Sequence, residues 1–169
     1  MRINNYFGGI NLFCVGDRIA HPMHGAGVIE SITTRKVDGA EKEYYVLKLP
    51  VGDMLVMIPV DSCSAIGVRP IVKPSEAEKV IASFPRLQIN MTQNWNKRYR
   101  ENMDKIKSGD LFEVASVIKG LMLRDLEKGL STGERKMLHS AKQILISEIV
   151  LSESSSYEEV ERRINLAVS

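Results

Sequence analysis

Residues 94–102, NWNKRYREN, hold the one tryptophan of the chain, Trp95, with Lys97, Arg98 and Arg100 in the five positions after it. These residue types suit one kind of chemistry. A flat indole can wedge against or stack on nucleic-acid bases, while neighbouring cations neutralise phosphates. Asn94 can cap a helix that begins at Trp95, and a helix N-terminus favours anions through its dipole and unpaired N–H groups. A second reading stands beside the first. Trp95, Tyr99, Met103 and Ile106 recur at helical spacing, so the indole could instead seal a helical core.

Other reactive side chains give weaker patterns. His21 and His24 lie three apart in HPMHG, and Cys14 and Cys63 each stand alone. Structural zinc normally uses close Cys or Cys/His pairs on two elements, so no metal is expected. The bland reading is a tight turn in which Gly25 and Gly27 supply unusual backbone angles and His24 bonds locally. The chain has no G-x-S-x-G, Walker A, G-x-G-x-x-G or H-E-x-x-H motif. Neither catalysis nor a cofactor is expected.

Composition sets the limits around these residues. The chain has 169 residues, 44% hydrophobic and 26% charged, with a net charge of +2. That is an ordinary globular composition, with room for one domain or two small ones. The charge is unevenly placed. Residues 86–142 carry twelve Lys/Arg against seven Asp/Glu, so the positive excess surrounds NWNKRYREN. No apolar run approaches the roughly 20 residues of a bilayer span. Nothing reads as a signal peptide, and two isolated cysteines make no disulfide framework. The expected setting is the cytoplasm, with no membrane partner.

The elements that must position these residues change period midway. Asp17–Ala20, Gly27–Arg35, Glu43–Leu49 and Met54–Ile58 read as strands, with Ser64–Val68 as a last short one. Asp38-Gly39 is a hairpin turn signal. Pro70 and Pro74 stiffen a linker near residues 69–75. Helices follow: one from Ser75 ended by Pro85, one capped by Asn94, and one after the capping box Asp110–Glu113 that stops at Gly129. Another follows the capping box Ser131–Glu134, and a last one opens at Ser156. The fold class is α+β, a small bent β-domain followed by an all-helical bundle.

Several blocks, in order, resemble the CarD/CdnL family of bacterial transcription regulators: VGDRIAHPMHGAGVIESITTR (15–35), KEYYVLKLPVGDMLVMIP (42–59), IGVRPIV (66–72), NWNKRYREN, SGDLFEVASVIKGLMLRD (108–125) and GLSTGERKMLHSAKQIL (129–145). The resemblance implies a Tudor-like or SH3-like β-barrel-type domain over 13–72 that docks on the β subunit of RNA polymerase. It implies a helical DNA-binding domain over 73–169, with residues 1–12 as an extension. The partner DNA is promoter DNA near the −10 element, held largely without sequence reading, and the chain is expected to be a monomer. Trp95 matches the wedge that hinders bubble collapse, and Lys97, Arg98 and Arg100 match basic residues beside it. Arg124 and Arg135 fall where the family often keeps a DNA-facing cation. Arg35 matches a polymerase-contacting arginine, with Val37 beside it. Met57 stands where some members have a second arginine, which points to a more apolar docking surface. The residues alone leave other readings open: a stand-alone DNA- or protein-binding module, or a metal-dependent hydrolase using His21 and His24.

Overall fold

A computed structural model describes residues 13–169 in full. Ahead of them only the backbone pairing of β1 (Tyr6–Phe7) with β2 (Ile10–Asn11) is described. The expected extension over 1–12 otherwise lies outside the described residues.

Alternating apolar residues build a five-stranded antiparallel sheet from β3 (Arg18–His21), β4 (Gly25–Val37), β5 (Ala40–Lys48), β6 (Leu55–Pro59) and β7 (Arg69–Pro70), in the order β6-β5-β4-β3-β7. Asp38 and Gly39, at φ 51° and 79°, form the two-residue turn between β4 and β5, closed by the Val37–Ala40 pair. The register of β4 against β5 slips between Ile29 and Ser31. This bulge bends the strand, so its first half buries into the core and its second half projects into solvent. Ile19, Ile29, Tyr45, Leu47 and Ile58 fill the interior. At about 1.5–3 kcal/mol for each fully buried side chain, so small a core needs support from elsewhere.

The expected strand over Ser64–Val68 is not formed. Those residues make a single helical turn, α1 (Cys63–Ile66), stopped by Gly67 at φ 94°, and the strand comes later at Arg69–Pro70. Ile66 and Val68 alternate as in a strand, but the backbone turns at the left-handed Gly67 between them, and the N–H groups of Gly67 and Val68 both donate to the Cys63 carbonyl.

Five helices follow. α2 (Pro74–Ser83) starts one residue earlier than expected, because proline at the first helical position loses no hydrogen bond. A 3-10 turn over Phe84–Arg86 contains Pro85. α3 (Trp95–Lys107), α4 (Leu111–Lys128), α5 (Thr132–Glu153) and α6 (Tyr157–Val168) begin at Asn94, Asp110, Ser131 and Ser156. Each of these four accepts an N–H of the first turn on its side-chain oxygen. Val114, Val117, Ile118, Leu121, Leu145, Ile149 and Val160 form the bundle core. The Lys119 ammonium is buried there and donates to the carbonyls of Phe84, Pro85 and Leu87, which fixes the 3-10 turn.

α5 also carries the sheet. Ser147 Oγ accepts the Ala26 N–H at 2.9 Å, and a side chain on Gly25 would run into that same oxygen. Gly25 is left-handed at φ 95°. Gly27 is required for a different reason, since a Cβ there would strike the Lys48 carbonyl of the next strand. The buried Glu148 carboxylate accepts from Arg69 at 2.7 and 3.0 Å and from the Val72 N–H at 2.9 Å. Arg18 donates to the Leu151 carbonyl, and Ser152 to the Val72 carbonyl. The two modules are therefore locked along one helix.

Candidate nucleic-acid and docking surfaces

The stripe predicted along α3 runs as a gradient from solvent to core. Ile106 is buried, Tyr99 and Met103 are half-buried, and Trp95 at the first turn is 42% exposed. The indole is not sealed in the bundle. It stacks on Tyr99 with centroids 5.1 Å apart and an interplanar angle of 19°. Its Nε1–H donates to Ser131 Oγ at 3.0 Å. Gly133 lies close by, where a Cβ would meet the ring edge in ordinary contact at 3.5 Å. Two helix N-termini, those of α3 and α5, thus meet at one exposed aromatic face, where their dipoles favour negative charge.

The expected cations divide into two groups. Lys97 and Arg100 are exposed. Lys97 stands 4.0 Å from Glu101, a solvated contact of little strength. Arg135 is exposed one turn beyond Ser131. Arg98 corrects the expectation. Its side chain is 2% exposed and is committed inside the bundle, donating from Nε and Nη2 to Glu134 at 2.9 and 3.2 Å and from Nη1 to the carbonyls of Thr92 and Gln93. It lies beneath the exposed surface rather than on it. Arg124 stands between the two groups, 24% exposed with Nε 3.9 Å from the same Glu134. The Arg98 hydrogen bonds keep the Glu134 carboxyl below its ordinary range despite burial.

Ser131 and Glu134 read from sequence only as a capping box. The box is present, with Ser131 Oγ accepting the Glu134 N–H at 3.2 Å. Its further work, one residue holding the indole and the other the buried arginine, depends on partners 36 positions away. No local pattern signals that.

Strand register puts Arg35, Val37 and Met57 on one face of the sheet without bringing them together, since Met57 lines up through Val46 with Ser31, well before Arg35 along β4. Arg35 pairs with Lys42, and Val46 pairs with both Ser31 and Met57. Side chains alternate along a strand, so Arg35, Val37, Tyr44, Val46 and Met57 share the outer face of the sheet. Arg35 is exposed, and the other four are half-buried. The result is a shallow apolar face with two cations, Arg35 and Lys42, towards the hairpin end. β6 is an edge strand among the described residues, open to strand addition.

The histidine pair forms a turn. His21 Nδ1 accepts the Met23 N–H at 3.0 Å, so His21 makes the local bond expected of His24. Burial, helped by the nearby His24, lowers the His21 pKa to about 4. Cys14 is exposed and Cys63 buried, and burial with Asp61 nearby raises the Cys63 pKa to about 11. Among the described residues no three His, Cys, Asp or Glu are placed to hold a metal, and no helix is long and apolar enough to cross a membrane.

Comparison with known proteins agrees with this two-part build. Residues 13–72 match the family model for the CarD-like/TRCF RID domain. Residues 79–165 match that for the CarD C-terminal domain. A protein of Bacillus subtilis (strain 168) named "Putative transcription factor YdeB" is 36% identical over 138 residues, covering 82% of this chain and 90% of the relative. With both modules matched in order, and a relative aligned over most of its length, the chain belongs to the CarD family of transcription factors.

Proposed function

We propose that this chain docks through the β4–β5–β6 face on the β subunit of bacterial RNA polymerase and presents Trp95 to promoter DNA. The contact lies at the upstream edge of the bubble, near the −10 element, where the indole opposes re-pairing. One observation carries the reading: the half-exposed indole at two converging helix N-termini, with Lys97, Arg100 and Arg135 on nearby exposed surface. The cations supply sequence-independent attraction to phosphates, and the ring supplies preference for distorted DNA over closed duplex. A ligand shifts an equilibrium only by its differential affinity for the two states. Aromatic stacking on a base is worth about 1–3 kcal/mol, or about 5- to 150-fold in the open-to-closed ratio.

Trp95 is the only indole in the chain, so its fluorescence reports on this contact alone. Forked DNA should quench Trp95 emission at concentrations where fully paired duplex of the same sequence leaves it unchanged. Equal quenching by both would remove the basis for open-state preference.

A further inference from the structure

We propose that Ser131 is a positioning residue for Trp95, fixing the plane of the indole before DNA arrives. The inference rests on the wedge reading above and extends it to a residue that sequence reading took only as a helix cap. A surface tryptophan held by its backbone alone would sample several rotamers. Here two neighbours confine it: the Tyr99 ring on one face and Ser131 Oγ accepting the indole N–H.

A serine hydroxyl offers two lone pairs and one proton. Ser131 uses all three. It accepts the Trp95 Nε1–H at 3.0 Å and the Glu134 N–H at 3.2 Å, and it donates to Glu134 Oε1 at 3.3 Å. Glu134 is in turn held by Arg98, which grips the Thr92 and Gln93 carbonyls just before α3. The chain of contacts closes on itself: the loop before α3, the buried arginine, the buried glutamate, the serine and the indole. An exposed ring is thereby tied to an interior that cannot move freely. Fixing the ring in advance removes an ordering cost that DNA binding would otherwise carry.

The capping and positioning roles can be separated, because glycine caps a helix almost as well as serine but offers no side-chain oxygen. The test uses the full chain as wild type, Ser131→Gly, Ser131→Thr, Trp95→Phe and Trp95→Ala. It reads the exchange rate of the indole N–H with water by NMR, and the half-life of polymerase–promoter open complexes at saturating protein. Ser131→Gly should speed indole exchange at least about tenfold and shorten the half-life by about 2- to 10-fold, the scale of one lost hydrogen bond. Ser131→Thr should keep both at wild-type values. Trp95→Phe keeps a ring, lacks the donor and leaves the α5 cap untouched, so it should shorten the half-life as Ser131→Gly does. Combining it with Ser131→Gly should add nothing further. A wild-type half-life for Ser131→Gly and Trp95→Phe, with Trp95→Ala collapsed, would overturn the positioning role and leave the wedge standing. A wild-type half-life for Trp95→Ala would overturn both.

Discussion

Arg98 and Glu134 form the buried pair beneath the exposed indole. Taking two charges out of water is costly, and such a pair persists only where further hydrogen bonds complete it. Here the Thr92 and Gln93 carbonyls and the Ser131 hydroxyl do so. Glu134→Ala would strand the guanidinium and should lower the unfolding free energy by about 3–5 kcal/mol, read from the denaturant midpoint at unchanged slope. A loss under about 1 kcal/mol would mean the pair behaves as a solvated one. The pH dependence has a definite sign. The folded carboxyl sits below the ordinary value of 4.5, so its contribution is complete above that pH and is lost as pH falls through the lower folded value. The stability gap between wild type and Glu134→Gln should hold from pH 7 to 5 and narrow below 4.5; a constant gap in acid would show that the carboxyl is not held down. Arg98 also marks the limit of reading residues singly. Arg98, Asn102 and Ile106 fall on one buried helical stripe, yet a polar residue on such a stripe reads as solvated until its partner is known. That partner lies 36 positions further on.

At the scale of elements, most of the chain was legible. Caps at Asn94, Asp110, Ser131 and Ser156 announced their helices, because each local side chain satisfies an N–H that only a helix leaves open. The turn over Cys63–Ile66 does not show in the periodicity, because it ends on the left-handed Gly67 between the alternating Ile66 and Val68. The candidate docking face shows both sides of the matter. Strand parity, read from register, places Arg35, Val37 and Met57 on one surface, but register across three strands does not follow from any one of them. On that face Arg35 and its cross-strand partner Lys42 supply positive charge beyond the half-buried Tyr44, Val46 and Met57. Reversing it with Arg35→Glu should weaken binding to the polymerase β subunit by about tenfold, mostly through slower association, while affinity for bare DNA stays the same. Surface plasmon resonance on the immobilised β subunit separates these quantities, and unchanged binding would move the dock to another part of the sheet.

For the whole molecule, the central fact is that α5 belongs to both modules. The change from strand to helix period, with Pro70 and Pro74 near residues 69–75, suggests two halves on a stiffened linker. The sheet also rests on the bundle through Ala26–Ser147, Arg69–Glu148 and Arg18–Leu151. Those contacts join residues 79 to 133 positions apart, beyond the reach of local pattern. Their consequence is mechanical. The α5 N-terminus braces the indole at Ser131, and the following turns of the same helix seat the sheet at Ser147 and Glu148, so a dock on the sheet face sets where the indole can reach. Under the proposed function, a weak and sequence-independent DNA contact held in place this way would act at high effective concentration. The most direct measurement is the half-life of open complexes on one promoter after competitor challenge, with wild-type protein and with Trp95→Ala, both at concentrations that saturate the polymerase. The expected result is equal polymerase binding, with a half-life about 5- to 150-fold shorter for Trp95→Ala. Equal half-lives at equal occupancy would contradict the role given to Trp95.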